Sequence, residues 1–340
     1  MRFRGLLLVA FWQCSSPKTD ELPPQPSGGP TTSADVWTFA IDRLFLGDTD
    51  RLGQVSNQAW QQFGYDIDGR ITTVDSTDVC KSGYFRAGVD GNLGIDNAWG
   101  RSLLFVVSAG LASTQASDDV TRRIASGDWT LLVQIAGLNG DPKQSATGLD
   151  AQVFVGASTG ATTPTFDTFT DWPVAPSSLD DGATLASRAR VHFDDVFVTN
   201  GVIVASNANA PLTIPLVVLI HDTSDPTTTR PASLTLRVSH PLITLSTTGA
   251  EGVISGVIAD ADARAAANEL NRQLDANDCI DAFALIAGSE DIMADGTNMA
   301  GVDCNAFSIG LGFDSKRVAN PTTVGRDPAP FVDPCDAGTD

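Results

Sequence analysis

The chain predicts a mainly β protein: an antiparallel β-sandwich or jelly-roll, with a concanavalin-like arrangement as one form, plus a few helices that include a C-terminal helical segment. Three observations carry this. Between Asp128 and Ile258, short runs rich in Val, Ile, Leu and Thr recur, separated by Gly, Asn, Asp and Pro clusters. Phe307-Ser308-Ile309-Gly310-Leu311-Gly312-Phe313 alternates cleanly and reads as a closing strand. Hydrophobic residues make up 42% of the 340, an ordinary figure for a globular chain with a packed core.

The elements follow in order. Val36–Ile41 is aromatic and β-branched and reads as a strand. Tyr65 to Asn97 is a loop region rich in Asp and Gly. Trp99, Leu103, Leu104, Val107 and Leu111 recur at helical spacing, which predicts a helix over 97–115. Strands are expected at Trp129–Ile135, Ala151–Val155, Arg190–Val198, Val202–Ser206, Leu212–Ile220, Ser233–Val238, Leu242–Ser246 and Gly252–Ile258. Asp194-Asp195 breaks the alternation of its strand and predicts a bulge. In Ala259–Ala276, Ala263, Ala266, Leu270 and Leu274 share one helical face. A second helix is expected over Asp281–Ile292.

The first fourteen residues read as an export signal. Met1-Arg2-Phe3-Arg4 is a basic start, and Gly5–Trp12 is a short apolar run before Cys14. Eight residues are far fewer than the roughly 20 that a membrane span needs. Cleavage before Cys14 and lipidation of that cysteine are expected. This places the chain in the cell envelope, in the periplasm or on the outer-membrane surface, with the lipid as its only membrane attachment. Residues 15–34, rich in Pro, Ser, Thr and Gly, read as a flexible tether. A single β-rich domain is expected over 35–318: an Asp/Gly-rich part at 35–127, a strand-rich part at 128–258, and a helical segment with the closing strand at 259–318. Residues 319–340 read as an extended tail.

The net charge of −20, from 41 acidic against 21 basic residues, argues against nucleic acid and anionic membrane surfaces as partners. It suits solubility and is compatible with cation binding. Of the five cysteines, four remain if Cys14 carries lipid: Cys80, Cys279, Cys304 and Cys335. An even number suits an oxidising compartment, and four allow three connectivities. Cys279 and Cys304 flank a short helical segment and close a modest loop, which makes them the expected pair and leaves Cys80–Cys335. No Cys-x-x-Cys or His/Cys cluster suggests zinc.

The strongest constellation is acidic: Asp66-Ile67-Asp68-Gly69, then Asp75, then Asp90, then Asp96-Asn97. Ca²⁺ takes about six to eight oxygens from flexible loops, and these six side chains are the candidate ligands. The EF-hand pattern needs a third ligand position and a terminal Glu, and neither is present. Asp291, Asp295 and Asp303 form a weaker cluster beside Cys304. Turn formation alone also explains Asp, Asn and Gly in such loops.

No catalytic constellation stands out. Gly156-Ala157-Ser158-Thr159-Gly160 matches the nucleophile-elbow pattern, but that device needs a helix directly after it, and Ala161–Thr165 with its Pro164 is no helix. His192, His221 and His240 lie in or beside expected strands. A second reading is an extracellular carbohydrate-binding or glycoside-active protein, with Trp172 in Phe166–Pro173 as the best sugar contact. Burial explains most tryptophans equally well. A protein partner is the other binding class compatible with the sequence.

Tyr65-Asp66-Ile67-Asp68-Gly69, Asp75-Ser76-Thr77-Asp78-Val79-Cys80, Gly94-Ile95-Asp96-Asn97 and Phe307–Phe313 resemble segments of a family of uncharacterised exported bacterial lipoproteins. The resemblance spans most of the mature chain. It implies export and implies no activity.

Overall fold

The computed structural model describes residues 21–327, apart from 84–87, 110, 112–114, 161–162, 182–183, 186, 222–226 and 275–281. Cys14, Cys279 and Cys335 lie outside the described residues, as does the expected export signal. Among the described residues ten strands form: β1 (Val36–Phe45), β2 (Thr130–Ala136), β3 (Ala146–Thr147), β4 (Asp150–Gly156), β5 (Val191–Thr199), β6 (Val202–Ala208), β7 (Leu212–His221), β8 (Thr229–Ser246), β9 (Gly252–Ala259) and β10 (Ala306–Val318). The α-helices among the described residues are α1 (Leu104–Ala109), α2 (Ala116–Ala125) and α3 (Asp260–Leu274).

The mainly β, antiparallel character is as the sequence predicts, but the architecture is a barrel and not a sandwich. The order β5-β4-β2-β1-β10-β9-β8-β6 closes on itself because β6 pairs with β5 from Phe193↔Ala208 to Thr199↔Val202. Eight strands thus form a continuous antiparallel wall. A cylinder of this size has an interior that side chains can fill. Phe39, Ile41, Val133, Ile309, Leu311 and Phe313 belong to one buried cluster inside it. The intervening Ala40, Leu132 and Phe154 face outward and are covered by Trp172, Val174 and Leu179. Both faces of this part of the wall are therefore apolar.

Two predicted strands prove to be one. β8 is continuous over 18 residues and bends where His240 takes a φ of 49° and the register to β9 shifts between Ser239 and Leu242. Pro241 interrupts the sequence pattern there because it has no N–H to offer a ladder. The half of β8 before the bend leaves the barrel and pairs with β7 as a hairpin arm, from Leu212↔Val238 to His221↔Thr229. The bulge expected at Asp194-Asp195 is absent: the β5–β6 register runs through it without a shift.

Helix α3 lies where the periodicity puts it, with Ala263, Ala266 and Leu270 buried. It is fastened to the arm through Glu269, which accepts from Ser233 Oγ at 2.9 Å and from the Thr235 amide at 3.0 Å. The second expected helix is only a 3₁₀ turn, Ala282–Leu285, because the chain turns at Gly288 (φ +93°) and runs on to an isolated bridge between Ile292 and Ala306. The helix expected over 97–115 is shorter: a π turn at Trp99–Leu103 leading into α1. Residues 21–34, read as tether, run against the barrel. Thr31 donates its amide to Thr147 O at 2.8 Å and its hydroxyl to Gly137 O at 2.7 Å.

A candidate cation site on the outer wall

The outward face of β10 carries Ser308, Gly310 and Gly312, with Phe307 to Phe313 pointing inward between them. The small residues let the 59–103 loop lie flat on the wall. A Cβ at Gly310 would sit 2.1 Å from Phe63 O, so only glycine fits this approach. Gly310→Ala is expected to destabilise by about 2 kcal/mol or more through backbone displacement, read as a lower denaturant midpoint.

Five aspartates converge on this loop. One oxygen each from Asp66, Asp68 and Asp96 lie within 4.8 Å of one another, and these three could hold a metal ion. Oxygens bound to one Ca²⁺ at about 2.4 Å lie at most about 4.8 Å apart, so the spacing suits a shared ion. Asp90 and Asp291 stand close enough to disturb the triad. Burial pushes the Asp90 carboxyl up to about 7, with the charges of Asp68, Asp291 and Asp66 adding to the effect. Burial also holds Asp96 well above the usual carboxylate range, again with Asp68, Asp291 and Asp90 adding to it. Asp291 is raised by burial too, against the opposing pull of Arg101 and of Ser308. Asp68 contributes repulsion to Asp66, Asp90, Asp96 and Asp291 alike, which makes it the electrostatic centre of the group.

Local backbone geometry builds the cluster. Asp66 and Asp68 both accept from the Arg70 amide, at 2.9 and 2.8 Å, in a tight turn that Gly69 completes at φ +72°. Asp96 Oδ2 accepts from the Ile67 amide at 2.7 Å. Asp90 accepts from the Thr72 amide, and the buried Thr72 hydroxyl has no hydrogen-bond partner among the described residues. Asp291 is bound by Ser308 of β10 through its amide at 2.8 Å and its hydroxyl at 2.6 Å.

Of the six predicted ligands, the structure therefore brings together Asp66, Asp68, Asp90 and Asp96. Asp75 is exposed and takes no part in the triad. Asn97 is a strut and not a ligand: its Nδ2 reaches the carbonyls of Trp60, Phe63 and Gly310 at 3.0–3.1 Å, and its Oδ1 accepts from the amides of Gly100 and Gly310. All of its polar capacity is directed at backbone. Asp291 belongs to the main group, whereas Asp295 is exposed and occupied by Thr297.

A disulfide braces the site, and it is Cys80–Cys304, not the expected Cys279–Cys304 and Cys80–Cys335. Loop-length reasoning favoured the near pair, but topology decided. Lys81 donates its amide to Val302 O at 2.8 Å and accepts from the Cys304 amide at 2.9 Å, which brings the two cysteine Cα atoms to 5.1 Å. That separation is ordinary for a disulfide. Asn298, which the sequence reading passed over, links the bridge to the cluster: its Oδ1 accepts from the Cys80 amide and its Nδ2 donates to Asp68 Oδ2 at 2.7 Å.

The other motifs find structural roles. Ser158 sits in an exposed turn after β4, its hydroxyl accepting from the Gly160 amide at 3.3 Å, and among the described residues the next helical turn is the 3₁₀ segment Pro176–Ser178. Trp172 is fully buried, as are Trp99 and Trp129. Trp60 is buried as well, and Trp37 is half-buried beneath the Arg317 guanidinium, 3.7 Å from its ring centroid. Four of these five rings are buried, Trp172 among them, and the fifth has the Arg317 guanidinium over it. His240 marks the β8 bend and His192 lies in β5.

The fold and site define a class: an eight-stranded antiparallel barrel with a disulfide-braced, acidic loop on its outer wall. Comparison with family models, curated proteins and solved structures finds no match.

Proposed function

We propose that this chain is an exported cell-envelope protein, anchored through lipid on Cys14, with a structural or binding role and a Ca²⁺ ion that fastens its acidic loop to the barrel. The observation that carries the cation reading is the convergence of Asp66, Asp68 and Asp96 around Asp68, with Asp90 and Asp291 adjacent. Packed carboxylates repel one another, and a divalent ion offsets that repulsion. Export is supported by the basic-apolar-cysteine opening, by the resemblance to exported lipoproteins, and by a disulfide of the kind that persists in oxidising compartments. A membrane contact through the lipid alone, no nucleic-acid partner, and a protein or carbohydrate partner for the barrel complete the reading.

Ca²⁺ at about a hundredfold excess over its dissociation constant is expected to stabilise the fold by about 2.7 kcal/mol, or roughly 5 °C in melting temperature, relative to chelator. Asp68→Asn is expected to abolish that difference. An unchanged melting temperature on adding Ca²⁺ to the chelated protein removes the cation reading. The export reading is checked separately: Cys14→Ser should release the protein from the membrane fraction and end its labelling by palmitate.

The raised carboxyls also set a pH dependence. A group whose folded-state value lies above its unfolded value stabilises fully below the unfolded value, and that stability is lost as pH rises through the folded one. For Asp90 this window runs from its ordinary 3.8 up to about 7. In chelator, the melting temperature is therefore expected to fall between about pH 4 and 7, and Ca²⁺ should flatten the slope. A chelated protein more stable at the alkaline end would contradict the close packing of these charges.

A further inference from the structure

Phe105, the second residue of α1, is 79% exposed. A single exposed ring is common on a protein surface and by itself carries no meaning. This ring, however, borders an open cleft of about 340 Å³ between the 47–57 turn and α1. That volume falls in the range of small-molecule sites, about 300–1,000 Å³.

The frame of the cleft is fixed by backbone hydrogen bonds. On the turn side, Asp50 donates its amide to Gln54 O at 2.9 Å, and its Oδ1 accepts from the Leu52 and Gln54 amides, both at 2.9 Å. The Ser56 amide reaches Asp48 O at 3.0 Å. The two sides meet at Gly47 and Gly100, where a Cβ on Gly47 would sit 3.0 Å from the Gly100 Cα. A frame set in advance lowers the ordering cost of binding.

Polar groups surround the ring. Arg101, Phe105 and Ser108 recur at helical spacing along one wall, and the turn contributes Asn57. The Asn57 amide group and the Ser108 hydroxyl have no hydrogen-bond partner among the described residues. The charges, by contrast, are occupied. Asp48 accepts from the Ser117 amide at 3.1 Å and from its hydroxyl. Arg101 Nη1 donates to Val89 O at 2.6 Å, and its charge is drawn to Asp291. An open aromatic face beside free neutral donors and acceptors suits a neutral polar ring.

We infer that this cleft binds one pyranose unit of a neutral carbohydrate, its apolar C–H face stacked on Phe105 and its hydroxyls bonded to Asn57 and Ser108. The inference rests on the reading of a carbohydrate partner and gives that partner a place. A pyranose with equatorial hydroxyls presents a flat face of C–H groups, which the negative face of a phenyl ring attracts. Acidic sugars and nucleotides are disfavoured, because the chain carries −20 and Arg101 is already engaged.

The test is affinity electrophoresis of the full chain through native gels containing hydroxyethylcellulose, laminarin or galactomannan, all neutral pyranose polymers, with polygalacturonate as the acidic comparison. At least one neutral polymer should retard the protein, and polygalacturonate should not. Phe105→Ala should weaken that binding about tenfold or more, ~1.4 kcal/mol. Its melting temperature should stay unchanged, because the side chain is exposed. Phe105→Tyr should bind as the parent does, and Asn57→Ala should bind more weakly with its fold intact. Retardation that survives Phe105→Ala leaves a carbohydrate partner standing and overturns this site. A protein retarded by none of the three neutral polymers overturns the site and the carbohydrate reading together. Equal retardation by polygalacturonate overturns the neutral class.

Discussion

Replacing Cys80 or Cys304 by Ser is expected to cost roughly 2–5 kcal/mol. The bridge spans 224 residues of sequence. In the chain-entropy account the effect grows only logarithmically with loop length, so a loop of that size contributes about 5 kcal/mol at most. The single variants and the double variant should have the same denaturant midpoint, because each removes the same bond. Peptide mapping without reductant should recover the Cys80 peptide joined to that of Cys304. Additive losses in the double variant would mean the two cysteines act separately and the pairing is wrong. The damage should also extend to the cation, since Asn298 holds both the Cys80 amide and the Asp68 carboxylate. Ca²⁺ stabilisation is therefore expected to shrink in both variants.

Asn97→Ala is the second large effect, with an expected loss of about 3 kcal/mol or more. The side chain is 2% exposed and ties together three strips of backbone: the 60–63 turn, the start of the π turn at Gly100, and Gly310 of β10. Truncation leaves several buried donors and acceptors without partners, at about 1–3 kcal/mol each, partly relieved by relaxation. This variant separates a strut from a ligand. A strut costs the same stability in Ca²⁺ and in chelator; a ligand costs more when Ca²⁺ is present. Equal losses in the two buffers are expected. Asn97→Asp keeps the acceptor and discards the two donors, so it should be nearly as damaging.

The strands were the most legible part of the molecule. From β2 onward the apolar runs match β4 to β7 and β9 within a residue or two, because each run is bounded by turn formers and buries at least one face. Closure was not legible. It depends on β6 turning back to pair β5 and on β1 lying between β2 and β10, and nothing in a run of apolar residues states its neighbour. Helix α2 was missed because Ser117, Asp118, Asp119, Arg122 and Arg123 dominate it. Ala116, Val120 and Ile124, all fully buried, carry a weak four-residue spacing that could have revealed it. The aspartate group was half legible: Asp66, Asp68, Asp90 and Asp96 share one loop in sequence, but from more than 190 residues away Asp291 arrives bound to Ser308 of β10 and Asn298 arrives bound to Asp68. Asp75 and Asn97 share the composition of that loop without its geometry. The cleft beside Phe105 had no signature at all, since its walls come from two segments that nothing in the sequence links.

The order of strands has a consequence for timing. β10 stands between β1 and β9, so the first strand and the ninth wait for the tenth. Until Val318 has left the ribosome, Val36–Phe45 has a partner on one side only. Cys304 emerges just ahead of that last stave, and the acidic loop cannot seat until Ser308 and Gly310 are in place beneath it. The disulfide, the seating of the acidic loop and the completion of the wall thus collapse into one late step. A nascent chain stalled before Ala306 holds all the aspartates of the triad and nothing to set them on.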